Sequence, residues 1–254
     1  MERYSKHVAD WLVDPKAVAE EYASEEALRE RWAVYDELLE GPDDGEVVRA
    51  RILAARPRRL LDVGSGFGEL CAWATTNLDA QVVAVDSSPR MVELSAQAGA
   101  TAILADMRAL PFPDGSFDCV VARASIYHVP DPERAIAEAA RVLAADGLFL
   151  ATTGSDDEAH ERLAAWESLF GEPIPPYPPL SFSRENGRHL LLRSFRQVEQ
   201  VDCDAVLVFP TRERLVRYVR ALVVGKEAAD RVPELTEPFR LPDKGTVFQA
   251  STPR

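Results

Sequence analysis

Three glycines at alternate positions, Gly64, Gly66 and Gly68, directly follow a short apolar run (Leu60, Leu61, Val63) that carries an acid, Asp62. Glycine allows a turn dihedrals closed to other residues and lets backbone approach a ligand with no Cβ between them. A helical pattern opens at Leu70, so the unpaired N–H groups and positive dipole end of a helix face the same turn. The chemistry suited to this place is the holding of a nucleotide-like ligand. A tight strand-to-helix turn with no ligand uses similar glycines. The dinucleotide fingerprint needs Gly or Ala at the position where this chain has Glu69.

Further acids fall at regular places. Asp86 closes the run Gln81–Val85, about 20 residues past the glycines, where a ribose diol is held in nucleotide-binding sheets. Asp86, Ser87 and Ser88 are also capping types for a helix after Pro89. Asp106 closes a third run, Thr101–Ala105. A nicotinamide site gains nothing from a third acid, whereas a ligand with a cationic centre and an adenine amino group does. His128 stands just past a fourth run, Cys119–Ala122. Its unperturbed pKa suits a general base, and the alternative is that it packs there and orients its loop. Arg123 is placed to meet an acidic group of a ligand or to form a structural ion pair. His7, His160 and His189 read as surface or structural, and with no His/Cys/Asp cluster at ligand spacing no metal is expected.

The elements that must position these residues alternate. Strands at 60–63, 81–85, 101–105, 119–122 and 148–152 are separated by helices at about 69–76, 91–98 and 133–143, the rhythm of a parallel sheet with crossover helices. Before them, Val18, Tyr22, Ala27, Trp32, Tyr35 and Leu38 fall at helical spacing, and a second helix covers about 46–55. The stripe Tyr22, Trp32, Tyr35 reads as core, with pocket-shaping over the first strand as the alternative. After Thr152, helices are expected at 159–170, 183–195 and 211–223. A stiff Pro-rich loop is expected at 171–179, and strands at 198–209 and 246–250. Residues 1–57 thus form an N-terminal helical cap, 58–155 a ligand-binding core, and 156–254 a part that completes the sheet and adds to the cap.

With 254 residues the chain suits one α/β domain with additions. Its formal charge of −13 argues against a nucleic-acid partner, because phosphate contacts rely on clustered Lys and Arg. No apolar run approaches a membrane span, and Met1–Tyr4 lacks a signal-peptide pattern, so no membrane association is expected. Cys71, Cys119 and Cys203 are odd in number and isolated, which fits free thiols in a reducing cytoplasm.

Four blocks carry a family resemblance: Leu61 to Gly68; Val85 to Met91; Leu110–Pro111–Phe112 through Phe117–Asp118; and Tyr127 to Pro132, followed by Glu138, Arg141–Val142–Leu143 and Gly147. In order and spacing they closely resemble the class I S-adenosylmethionine-dependent methyltransferases, in particular the group that modifies quinones and other small molecules. The resemblance covers the middle of the chain and departs at Ser65, often Cys in that group, and Tyr127, often His. It implies a Rossmann-like α/β fold, a seven-stranded, mostly parallel sheet with helices on both faces, extended by N- and C-terminal cap helices. It implies S-adenosylmethionine as cofactor and S-adenosylhomocysteine as product. Gly64, Ser65 and Gly66 would line the methionine moiety, and Asp86 would hold the ribose hydroxyls with Ser87 and Met91 beside it. Asp106 and the Met107 backbone would meet the adenine, and the backbone at Ala122 or Arg123 would receive the amino group. Asp62 and Asp86 near a sulfonium also make electrostatic sense.

The expectation is a cytoplasmic methyltransferase that acts at an O, N or C atom of a small organic molecule, with His128 as the candidate base. The rivals are a protein that binds the cofactor without transferring a methyl group, a nicotinamide-dependent oxidoreductase, and an enzyme acting on RNA or protein.

Overall fold

A computed structural model describes residues 24–173, 178–222 and 226–254, together with Lys16, Val18 and Tyr22. The rest of the expected N-terminal helical stretch, His7, residues 174–177 of the Pro-rich loop and Val223 lie outside the described residues.

The chain enters with α1 (Glu26–Leu38), a two-residue strand β1 (Leu39–Glu40) and α2 (Asp44–Ala55). Alternation then begins: β2 (Arg59–Val63), α3 (Glu69–Asn77), β3 (Gln81–Asp86), α4 (Pro89–Gln97), β4 (Thr101–Leu104) and β5 (Phe117–Arg123). A 3-10 turn (Ile126–His128), α5 (Pro132–Val142) and β6 (Leu143–Thr153) follow. The remainder is α6 (Asp156–Phe170), α7 (Gly187–Leu191), β7 (Phe195–Phe209), α8 (Arg212–Ala221), α9 (Lys226–Ala229) and β8 (Phe239–Pro253).

All strands join one sheet in the order β1-β7-β8-β6-β5-β2-β3-β4. Pairs among β2 to β6 are parallel, and β8, β7 and β1 are added antiparallel. The sheet therefore has eight strands, one more than expected. The extra strand is β1, where Leu39 and Glu40 pair with Leu207 and Val206 at the outer edge of β7.

The parallel strands are buried on both faces, which is why they read as apolar runs without alternation. Leu61 and Val63 pack with α5 residues on one face, while Leu60 packs with Val48, Ile52 and Leu70 from α2 and α3 on the other. A third cluster builds the cap, where Val34, Trp166, Leu215 and Tyr218 pack over Leu207, Phe209 and Leu241 at one end of the β7–β8 pair.

Local chemistry fixes the helix starts. Ser88 accepts from the Met91 N–H with Pro89 in the first turn, Asp131 accepts from the Arg134 N–H ahead of Pro132, and Ser155 accepts from the N–H groups of Asp157 and Glu158. The expected helix over 183–195 is confined to Gly187–Leu191, and its last residue, Phe195, opens β7 instead. Strand β6 starts earlier than the expected 148 and takes in Ala144–Gly147. Strand β8 starts at Phe239, and its Pro242 is accommodated because this stretch pairs only with β7, leaving the other edge without ladder partners.

Candidate active site

The site begins where β2 ends. Gly64 has φ +71°, and its N–H donates to the Val85 carbonyl at 2.7 Å, which holds the turn against the end of β3. A Cβ on Gly64 would sit 2.5 Å from the Cβ of Ser125. Ser125 is fixed in turn by a 3.0 Å bond from its hydroxyl to the Val63 carbonyl. Gly64 is thus required by both conformation and space. At Gly66 the N–H donates to Asp86 Oδ2 at 3.0 Å, and the Ser88 N–H donates to Oδ1 at 2.8 Å. Burial raises the Asp86 pKa, and these backbone donors work against the rise.

Asp62 lies one residue back on β2 and is 2% exposed. Among the described residues its one hydrogen-bond partner is the Cys71 thiol, at 3.4 Å. Burial pushes the Asp62 carboxyl up to about 7, against the pull of the Arg123 guanidinium. An acid so placed calls for a cation. Arg123, at the end of β5, ion-pairs with Glu69, which also takes Arg49 at 3.2 Å, and lies over the Trp32 ring at 4.6 Å. Its side chain is therefore the structural ion pair of the two alternatives. Beyond it Ala124 adopts φ +45°, with its N–H bonded to the carbonyl and hydroxyl of Thr152. This strained corner swings the chain into the 3-10 turn that carries His128.

The Tyr22 hydroxyl and His128 Nε2 are 3.0 Å apart, and the Tyr127 ring lies 4.5 Å from the imidazole. The Ser88 hydroxyl donates to the Tyr22 carbonyl at 2.8 Å, so Tyr22 spans from the β3 end to the β5 end. Asp106 and Met107 stand past β4. Both Asp106 oxygens are engaged by Arg108, the closest contact being 2.6 Å. Ser65 shares a 2.8 Å bond with Ser95. Met91 and Ala122 are buried behind the site, 0% and 2% exposed. His160 bonds the Asp156 carbonyl and His189 meets Arg193, both on exposed helix faces.

One cavity of about 1420 Å³ runs from this edge into the cap. Asp62, Gly64, Ser65, Gly66, Asp86 and Ser87 line one end; Asp106, Met107, Arg123 and His128 also face it. The stripe Tyr22, Trp32, Tyr35, read from sequence as core, lines the cavity, and Tyr35 packs against the cap core as well. The cap end adds Asp44, Glu158, Arg162, Tyr218 and Asp243. Sequence reasoning missed this group because its members come from α2, α6, α8 and β8, and no local pattern links them. Among the described residues, no His/Cys/Asp/Glu group could hold a metal and no helix is long and apolar enough to cross a membrane.

The family profile described as "Methyltransferase domain" matches residues 61–151. The chain is 32% identical over 180 residues to the malonyl-[acyl-carrier protein] O-methyltransferase of Geobacter sulfurreducens, covering 66% of this chain and 67% of that protein. The chain belongs to the class I S-adenosylmethionine-dependent methyltransferases. The enzyme of the same description from Halorhodospira halophila is 33% identical over 163 residues, and there the match spans half of the relative's length. The methyltransferase fold is also that of the [4+2]-cyclase SpnF, whose crystal structure aligns over 94% of this chain and 96% of that one at 18% identity, with a TM-score of 0.59. In this methyltransferase the residues present fit the family's cofactor: a buried acid short of partners, a carboxylate built into the glycine turn, and a turn whose backbone lines open space.

Proposed function

We propose that this protein transfers the methyl group of S-adenosylmethionine to an O, N or C atom of a small organic acceptor. When bound, that cofactor supplies an electrophilic methyl group on a sulfonium. The observation that carries the reading is the continuity of the cavity, which leads from the Asp62/Gly66/Asp86 edge to a chamber under the cap lined by Asp44, Glu158, Arg162, Tyr218 and Asp243. Such an enzyme gains mainly by alignment and by exclusion of water, and the cap supplies both.

In this reading residues 58–155 form the cofactor core, 1–57 the N-terminal cap, and 156–254 complete sheet and cap. Gly64, Ser65 and Gly66 hold the methionine moiety, with Asp62 facing its positive charge and the backbone at Ala122 or Arg123 receiving its amino group. Asp86 takes the ribose hydroxyls beside Ser87, with Met91 packed beneath. Met107 and Asp106 flank the adenine, the latter once Arg108 yields. His128 takes the acceptor's proton, oriented by Tyr22. The protein works in the cytoplasm on a small molecule rather than on nucleic acid, which its acidity and three buried free cysteines support.

The relatives named malonyl-[acyl-carrier protein] O-methyltransferase favour O-methylation as one form of the activity. A second reading, cofactor binding without methyl transfer, draws on the cyclase that shares this fold. Incubation with S-adenosylmethionine and a panel of acceptors separates the two. Formation of S-adenosylhomocysteine with a product heavier by one methyl supports transfer, and tight binding with no turnover on any acceptor supports the second reading.

A further inference from the structure

At about 1420 Å³ the cavity exceeds the roughly 300–1,000 Å³ of a single small-molecule site. The cofactor reading accounts for the glycine-turn end and leaves the cap end to the acceptor. There the walls are the rings of Tyr35, Tyr127, Trp166 and Tyr218. Among them stand three carboxylates, Asp44, Glu158 and Asp243, with Asp243 in the field of the other two. Glu158 is 7% exposed. Arg162 ion-pairs with Glu158, lies 3.6 Å from Asp243 and donates to the Tyr218 hydroxyl at 2.7 Å. The Tyr35 hydroxyl donates to Asp243 Oδ1 at 3.0 Å.

Among the described residues, the cations near this chamber do not balance it. Arg31 reaches the Ala221 carbonyl at 2.8 Å and also lies in the field of Tyr127. Arg123 and Arg49 are matched by Glu69 and Asp43. Among the described residues three carboxylates therefore face two guanidiniums, Arg31 and Arg162, which leaves this end of the cavity with an excess of one negative charge. Burial accordingly pushes Asp243 up to about 6 and raises Asp44 as well. Charge held away from water is costly until it is paired, and aromatic faces attract the same partner, a cation. An anionic acceptor would meet this wall with repulsion, since the Arg162 guanidinium is already engaged on three sides.

We propose that the methyl acceptor carries an ammonium group, seated beside Asp243 among Tyr35, Trp166 and Tyr218 and selected by Asp243 and Glu158. The inference rests on the methyltransferase reading of the same cavity. The seat fixes what is recognised, not which atom is methylated.

The test is calorimetric titration of protein saturated with S-adenosylhomocysteine, using three matched probes: 2-phenylethylamine, 2-phenylethanol and phenylacetate. It is run at about pH 8, where Asp243, with a pKa of about 6, is ionised. The expected result is that the amine binds at least tenfold more tightly than the alcohol or the acid. That preference should fall away in Asp243→Asn and in Glu158→Gln, with S-adenosylhomocysteine affinity serving as the check on folding. Equal or tighter binding of the alcohol or acid, or no binding of the amine to the saturated protein, overturns the proposal. A preference that persists in both variants overturns the residue assignment. Failure of S-adenosylhomocysteine itself to bind overturns the methyltransferase reading beneath it.

Discussion

Asp86 Oδ2 accepts the Gly66 N–H at 3.0 Å, so the carboxylate that ends the second parallel strand is also a structural part of the glycine turn that ends the first. One side chain both shapes the glycine turn and faces the cavity. Asp86→Ala removes the acceptor of two backbone N–H groups, each charge-assisted bond contributing about 1.5–3 kcal/mol. Cofactor affinity measured by calorimetry should fall by more than about a hundredfold on that scale. Unchanged affinity would refute the ribose assignment.

The Gly64 position tolerates no side chain. Gly64→Ala forces a left-handed conformation, costing about 1–2 kcal/mol, and drives a methyl into Ser125. The thermal midpoint should drop, and Ser125→Gly in the same chain should restore only part of the loss, because the φ of +71° remains. Full restoration would show that crowding alone sets the requirement.

Stability should depend on pH through the raised carboxyls, Asp62 and Asp243 among them. Asp62 and Asp243 both start from 3.8 and are pushed up to about 7 and about 6 in the folded protein. Between those limits the native state keeps protons that the unfolded chain has released, so stability falls as pH rises through this window. At about 1.4 kcal/mol per tenfold change in proton affinity, the Asp62 penalty is on the order of 4 kcal/mol above neutrality. Asp62→Asn should therefore stabilise the ligand-free protein at about pH 8 much more than at about pH 4, and weaken cofactor binding. Denaturant unfolding at the two pH values checks this, and an equal effect at both would contradict it.

His128 links the 3-10 turn to Tyr22. As a proton acceptor for the substrate, its loss in His128→Ala should lower kcat by about a hundredfold or more, with S-adenosylhomocysteine affinity little changed. Unaltered kcat would leave it as a group that orients the loop.

Much of this was legible in the chain because the informative physics is local. An apolar run, glycines and a helix start lie within a dozen residues at Leu60–Leu70, and Ser88 announces its helix by capping chemistry. The β7–β8 pair was legible only in part. Pro242, Asp243, Lys244 and Gly245 have turn propensity, and only their pairing with Val206 to Cys203 makes them strand. The same pairing brings Asp243 to Tyr35, 208 residues away in sequence. The cap end of the cavity was therefore invisible, since it is assembled by tertiary contacts from six elements. Arg123 was legible as a candidate for an ion pair but not as the partner of Glu69, for the same reason.

The most direct test of the account is calorimetric titration of the purified protein with S-adenosylmethionine, S-adenosylhomocysteine and NADH. The account predicts micromolar binding of the first two and none of the third. Binding of NADH alone, or of none of the three, would contradict it.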